Sequence, residues 1–112
     1  MRKIKFRAWD KNDGEMIGWL MLREYTAKWL DNNIVIPMQY TGLHDKNGKE
    51  IYENDIIKIE GWSEPIQQVI FNRGGFCTIR LGEESASFAH DIKYAEGSVV
   101  IGNIYENPEL IN

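Results

Sequence analysis

The sequence predicts an all-β domain, β-rich with at most one short helix, and three observations carry that reading. Lys3-Ile4-Lys5-Phe6-Arg7-Ala8 alternates charged and apolar residues with period two, the pattern of a half-buried strand. Short β-branched and aromatic runs separated by turn residues fill residues 50–104, the spacing of a small barrel or sandwich. No stretch of that half carries the long amphipathic helices of an α/β unit. The 112 residues suit one domain, and 43% apolar with 27% charged residues is globular rather than disordered usage. The longest mostly apolar stretch, residues 16–22, has seven residues, against the roughly 20 of a membrane span.

In chain order, residues 3–9 read as a strand with Ile4, Phe6 and Ala8 inward. Asp10 to Gly14 supplies turn chemistry, and residues 15–20 return as the second arm of a hairpin. Leu22, Tyr25, Trp29 and Leu30 sit at helical spacing, so residues 21–33 are assigned to a short helix, although alternation at Tyr25, Ala27 and Trp29 also permits a strand. Ile34 to Thr41 is extended, with Pro37 marking an edge or bend. Asn47-Gly48 between extended flanks predicts a tight type I′ hairpin. Glu53 to Asp55 is a turn, and Ile56 to Glu60 a strand. Ile66 to Asn72 and Phe76 to Leu81 are strands about a turn at Gly74-Gly75. Residues 82–87 are polar and loose, 88–94 a short strand or turn, and 99–104 the last strand before Asn107-Pro108. Residues 1–112 are therefore one domain, with N-terminal hairpins and an oligomerisation segment in 1–49 and a small barrel or sandwich in 50–112.

The net charge of −4 is unevenly spread. Residues 1–11 carry five cations against Asp10, which is +4, and the remaining 101 residues carry 8 basic and 16 acidic groups, which is −8. A basic strand on an acidic body docks on its own chain or on a neighbouring copy, or else it meets an external polyanion. The interleaved apolar residues favour the first reading, since they mark a strand face rather than a basic arm. For the second, Lys3, Lys5 and Arg7 form an exposed row spaced about 6.5–7 Å apart, similar to phosphate spacing on one DNA strand, with Trp9 beside it for stacking on a base. The single cysteine, Cys77, excludes an intramolecular disulfide, and no apolar stretch follows the basic N-terminus as in a secretory signal. The chain is expected in the cytoplasm.

Three stretches, IKFRAWD (4–10), MQYTGLHDKNGKEIYENDIIKI (38–59) and VIGNIYENPEL (100–110), resemble the YopX family of small phage and prophage proteins. The resemblance implies an SH3-like barrel in the second half and assembly into homo-oligomers. It implies a bacterial host cell and no enzymatic activity, and it transfers an origin and an architecture without an active site. Asn54 stands where the family usually has Gly, and Asn tolerates a left-handed backbone there.

No residue set rises to catalysis, cofactor or metal binding. Cys77 with His44 or His90 could supply a thiol and a base, but alternation places Cys77 among apolar residues as a buried thiol. Asp45, Asn47, Glu50, Glu53 and Asp55 are only superficially like a calcium loop, because Gly48 comes too early. Gly74-Gly75 lacks the Lys-Ser/Thr of a phosphate loop. Trp9, Trp19, Trp29 and Trp62 leave either an exposed apolar patch or two small cores, one per half. The expected function is a non-enzymatic protein-contact or assembly module, as a homo-oligomer or with a phage or host protein. Nucleic-acid binding through Lys3, Lys5, Arg7 and Trp9 is the alternative.

Overall fold

The structure, a computed structural model, describes residues 3–22, 35–83 and 89–111. The strands are β1 (Phe6–Asp10), β2 (Glu15–Ile17), β3 (Val35–His44), β4 (Glu50–Tyr52), β5 (Asp55–Lys58), β6 (Ile66–Asn72), β7 (Gly75–Arg80), β8 (His90–Asp91) and β9 (Val99–Asn103). One helical turn, α1 (Trp19–Leu22), and 3-10 segments at Ile92–Gly97 and Pro108–Leu110 complete the described elements. Two sheets result, ordered β2-β1-β3-β4 and β8-β7-β6-β5-β9, with every pairing antiparallel. The five-stranded sheet curls into a half-barrel, and among the described residues its end strands β8 and β9 are not paired with each other.

Each half buries its own core. Ala8, Ile17, Leu22 and Val35 form one cluster with Phe6 against it. Ile51, Ile57, Ile59, Val69, Ala95 and Val100 form the other, covered by Leu43, Trp62, Phe76 and Ile92. Leu43 and Ile51 come from the first sheet, so the β3–β4 hairpin is pinned into the second core. Pro37 lies opposite Ala8 of β1, while β4 pairs with β3 only from Tyr40 onward. Its missing N–H thus falls where the ladder has one partner, which suits an edge position.

Several local expectations are corrected. The return arm of the first hairpin ends at Ile17 rather than residue 20, because the chain turns helical there and the Leu22 N–H donates to the Gly18 carbonyl at 2.9 Å. The helix expected over 21–33 lies almost wholly outside the described residues, as do residues 84–88 of the loose segment. Among the described residues, 50–104 hold six strands, of which β4 joins the first sheet.

The turns exchange roles. At Asn47-Gly48 only Gly48 has positive φ, +86°. The Asp45 carboxylate accepts the N–H groups of Asn47 and Lys49, each at 2.9 Å, so the loop closes as a three-residue turn with Gly48 left-handed. The two-residue turn with both φ positive occurs at Arg73 (+52°) and Gly74 (+83°), between the paired residues Asn72 and Gly75. Asn54 is left-handed at φ +69°, as the position requires.

Candidate functional site

The basic row lies at the seam between the sheets, where Arg7 reaches the second sheet and Lys5 pairs within the first. Phe6 to Asp10 lies between β2 and β3, and the alternation that turns Ala8 inward turns Lys5 and Arg7 toward the opposite face. There Lys5 pairs with Glu50, and Arg7 Nη2 donates to Asp55 Oδ1 at 2.7 Å. Their side chains are only 13% and 12% exposed, which corrects the expectation of an exposed row. Lys5 lies 5.1 Å from the ring centre of Tyr40, and the Arg7 guanidinium 4.7 Å from that of Tyr52. Trp9 stacks on Tyr105 at 5.7 Å and 17°. Ile4, expected inward, is 66% exposed, because β1 starts only at Phe6. Lys3 remains exposed and makes no ion pair among the described residues.

Two buried aspartates organise this seam. Asp55 accepts Arg7 and the Tyr52 N–H (2.8 Å); burial pushes its carboxyl above the ordinary range, and the Arg7 charge and the Tyr52 N–H offset only part of that. Asp45 is also buried, and burial alone would raise it. Three backbone donors, Val100 (2.9 Å), Lys49 and Asn47, outweigh burial and hold its carboxyl below the ordinary range. Asp45 therefore ties the β3–β4 loop to β9, aided by the Lys46 N–H on the Ser98 carbonyl at 2.9 Å. Sequence reading missed this role. The Asp-x-Asn-Gly pattern signals the local turn, but nothing local points to Val100.

The chemistry weighed at Cys77 does not assemble. β7 pairs with β8 so that Cys77 faces Asp91 and Thr78 faces His90. Directly opposed residues share a face and neighbours alternate, so thiol and imidazole lie on opposite faces. His90 packs on Trp62 at 4.5 Å, and the Asp91 carboxylate accepts the Lys93 N–H. Cys77 is half-buried rather than buried, and burial raises its pKa, away from a nucleophilic thiolate. His44 approaches the Tyr40 hydroxyl at 3.4 Å. Among the described residues no group of three or more His, Cys, Asp or Glu side chains could hold a metal ion.

What the fold leaves open is apolar. Leu20 (73%), Met21 (62%) and Ile4 are the three most exposed large hydrophobic residues described. Trp19, half-buried and 6.5 Å from Phe6, anchors α1 so that Leu22 points into the core while Leu20 and Met21 point out. Beside them is an open cleft of about 780 Å³ lined by Lys3, Lys5, Gly18, Trp19, Leu20, Met21, Glu50 and Tyr52. Of its charges, Lys5 and Glu50 neutralise each other and Lys3 is left over. The exposed apolar surface is supplied by Leu20 and Met21 and not by the tryptophans expected to form it. Trp9 and Trp62 are occupied by ring contacts, and Trp29 lies outside the described residues. No described helix is long and apolar enough to cross a membrane.

Residues 20–112 match the family described as YopX protein, a span that begins within α1 and takes in the cleft residues from Leu20 onward but not β1. Among solved structures, the chain is similar to the protein EF1440 from Enterococcus faecalis. The two share 27% identity and a TM-score of 0.70, and the alignment covers 100% of each chain. No curated protein matches the chain.

Proposed function

The chain belongs to the YopX family, and we propose that it is a non-enzymatic phage or prophage assembly module that associates with further copies of itself through the Trp19–Leu20–Met21 face. The observation that carries this reading is the side-by-side exposure of Leu20 and Met21 on a helical turn already anchored by Leu22 and Trp19. Exposed apolar groups gathered at one place mark contact surfaces, whereas scattered ones do not. The charge split supports self-association, because the free Lys3 beside the patch belongs to a segment of +4 on a body of −8.

Sedimentation equilibrium tests this reading. The wild-type chain at high micromolar concentration is expected to exceed its 13.0 kDa mass, and Leu20→Glu with Met21→Glu to return it to that mass. A wild-type chain that stays monomeric overturns the reading. For nucleic-acid binding, the alternative, Lys3 is the member of the Lys3, Lys5 and Arg7 row with no ion pair among the described residues. Retention of single-stranded DNA at low salt, lost in Lys3→Ala, would favour that alternative.

A further inference from the structure

We infer that the occupant of the Trp19–Met21 cleft is the C-terminal 3-10 turn of a second copy, so that copies join head to tail. This inference rests on the self-association reading above and names its partner surface. Past Asn103 the chain forms a tight, outward-facing turn. Leu110 (38%) and Ile111 (44%) are exposed and adjacent, and Glu106 and Glu109 are exposed acids of the same segment. Of all the large exposed apolar residues described, only the Leu20–Met21 and Leu110–Ile111 pairs are neighbours in sequence.

The two surfaces fit chemically and lie apart on one molecule. The cleft offers apolar walls and the unpaired cation Lys3. The turn offers two aliphatic side chains and two carboxylates. Leu110 borders a different hollow, lined by Glu64, Pro65, Ile66, Arg80 and Leu81, which shares no residue with the cleft. The turn is also ordered in advance. The Leu110 and Ile111 N–H groups donate to the carbonyls of Asn107 and Pro108, each at 3.1 Å. Asn107 Oδ1 accepts the Asn103 N–H at 3.2 Å and Asn107 Nδ2 donates to Glu109 at 3.4 Å. A preformed turn loses little conformational freedom on docking. Addition to the edge of β9 competes poorly, because the Val100 and Asn103 N–H groups already donate to the Asp45 and Asn107 side chains. Two different patches meeting once per junction make a heterologous contact, which propagates into rings or open chains.

The test is complementation by light scattering after size exclusion. A cleft variant (Leu20→Glu, Met21→Glu) and a turn variant (Leu110→Glu, Ile111→Glu) alter exposed side chains, and circular dichroism confirms that both fold. Each alone is expected to be monomeric. An equimolar mixture is expected to form a dimer of twice 13.0 kDa and no larger species, since one intact cleft meets one intact turn. In wild type, Glu106→Gln with Glu109→Gln should weaken association several-fold at low salt and little at high salt. If the turn variant associates like wild type while the cleft variant does not, the inference falls and the self-association reading stands. If both variants are monomeric and their mixture stays so, head-to-tail docking is likewise overturned. A monomeric wild type overturns both.

Discussion

The two sheets finish their surfaces in different ways. The β9 edge of the five-stranded sheet is closed by side chains from the segment after it and from the β3–β4 loop of the other sheet. Asp45 takes the Val100 N–H, Asn107 takes the Asn103 N–H, and Gly102 leaves room for the Asn107 side chain, which a Cβ at position 102 would approach to 2.5 Å. The four-stranded sheet ends in β2, three residues long, and runs straight into α1 with Leu20 and Met21 uncovered. The C-terminal half thus has its last edge sealed by polar side chains drawn from both halves. The N-terminal half uses Arg7 to reach Asp55 of the second sheet and leaves Leu20 and Met21 outward. Unpaired edges and apolar patches are where further chains attach, and the proposed contact on the N-terminal half rests on this contrast.

The largest effect tests the junction of the halves. Arg7→Met strands Asp55 in a buried site, and urea unfolding should show a loss of about 4 kcal/mol. Arg7→Met with Asp55→Asn should recover most of it, since the amide oxygen still accepts the Tyr52 N–H. A double variant no better than the single one would mean that Arg7 acts by packing on Tyr52 rather than by charge.

The seal comes next. Asp45→Ala removes the acceptor of three backbone N–H groups and should cost about 3 kcal/mol by the same measurement. The two aspartates also predict opposite pH responses. The Asp45 pKa is lower folded than unfolded, so its contribution is full above about pH 4 and is lost as pH falls through the folded value. Asp55 is raised, so the folded state binds its proton more readily, and stability gains as pH falls from that raised value toward about 4. Asp45→Asn should therefore flatten the acid limb of a stability–pH curve, and Asp55→Asn should steepen it.

A smaller loss is expected at Gly102→Ala, about 2 kcal/mol, because the new methyl meets Asn107. Asn107→Ala in the same chain should relieve the clash while still losing the Asn103 contact. The smallest change in stability, within about 0.5 kcal/mol, is expected for Leu20→Glu with Met21→Glu, since both side chains face solvent. That variant should change assembly alone. A large loss of stability there would mean that the face belongs to the fold and not to a partner.

Much of the molecule was legible in the residues themselves. Period-two alternation marked β1 and placed Ala8 in the core, and β-branched runs marked β6 and β9. Gly and Asn marked most of the bends, and the aromatic surplus pointed to two cores. All of these follow from interactions within a few residues: side-chain period, left-handed backbone and the chemistry of short polar side chains. Partnership across the chain was not legible. The Lys3-Lys5-Arg7 row read as one surface, yet Glu50 and Asp55 take two of its members from more than forty residues away. Asn47-Gly48 carried the stronger local turn signal, but the Asp45 carboxylate reshaped it while also reaching Val100, and the two-residue turn formed at Arg73-Gly74 instead. Sequence alone determined where the chain extends and bends, because those preferences are local. Tertiary structure decided which charges are neutralised and which apolar residues stay outside, because a charge is paired or free only in relation to what folding brings beside it.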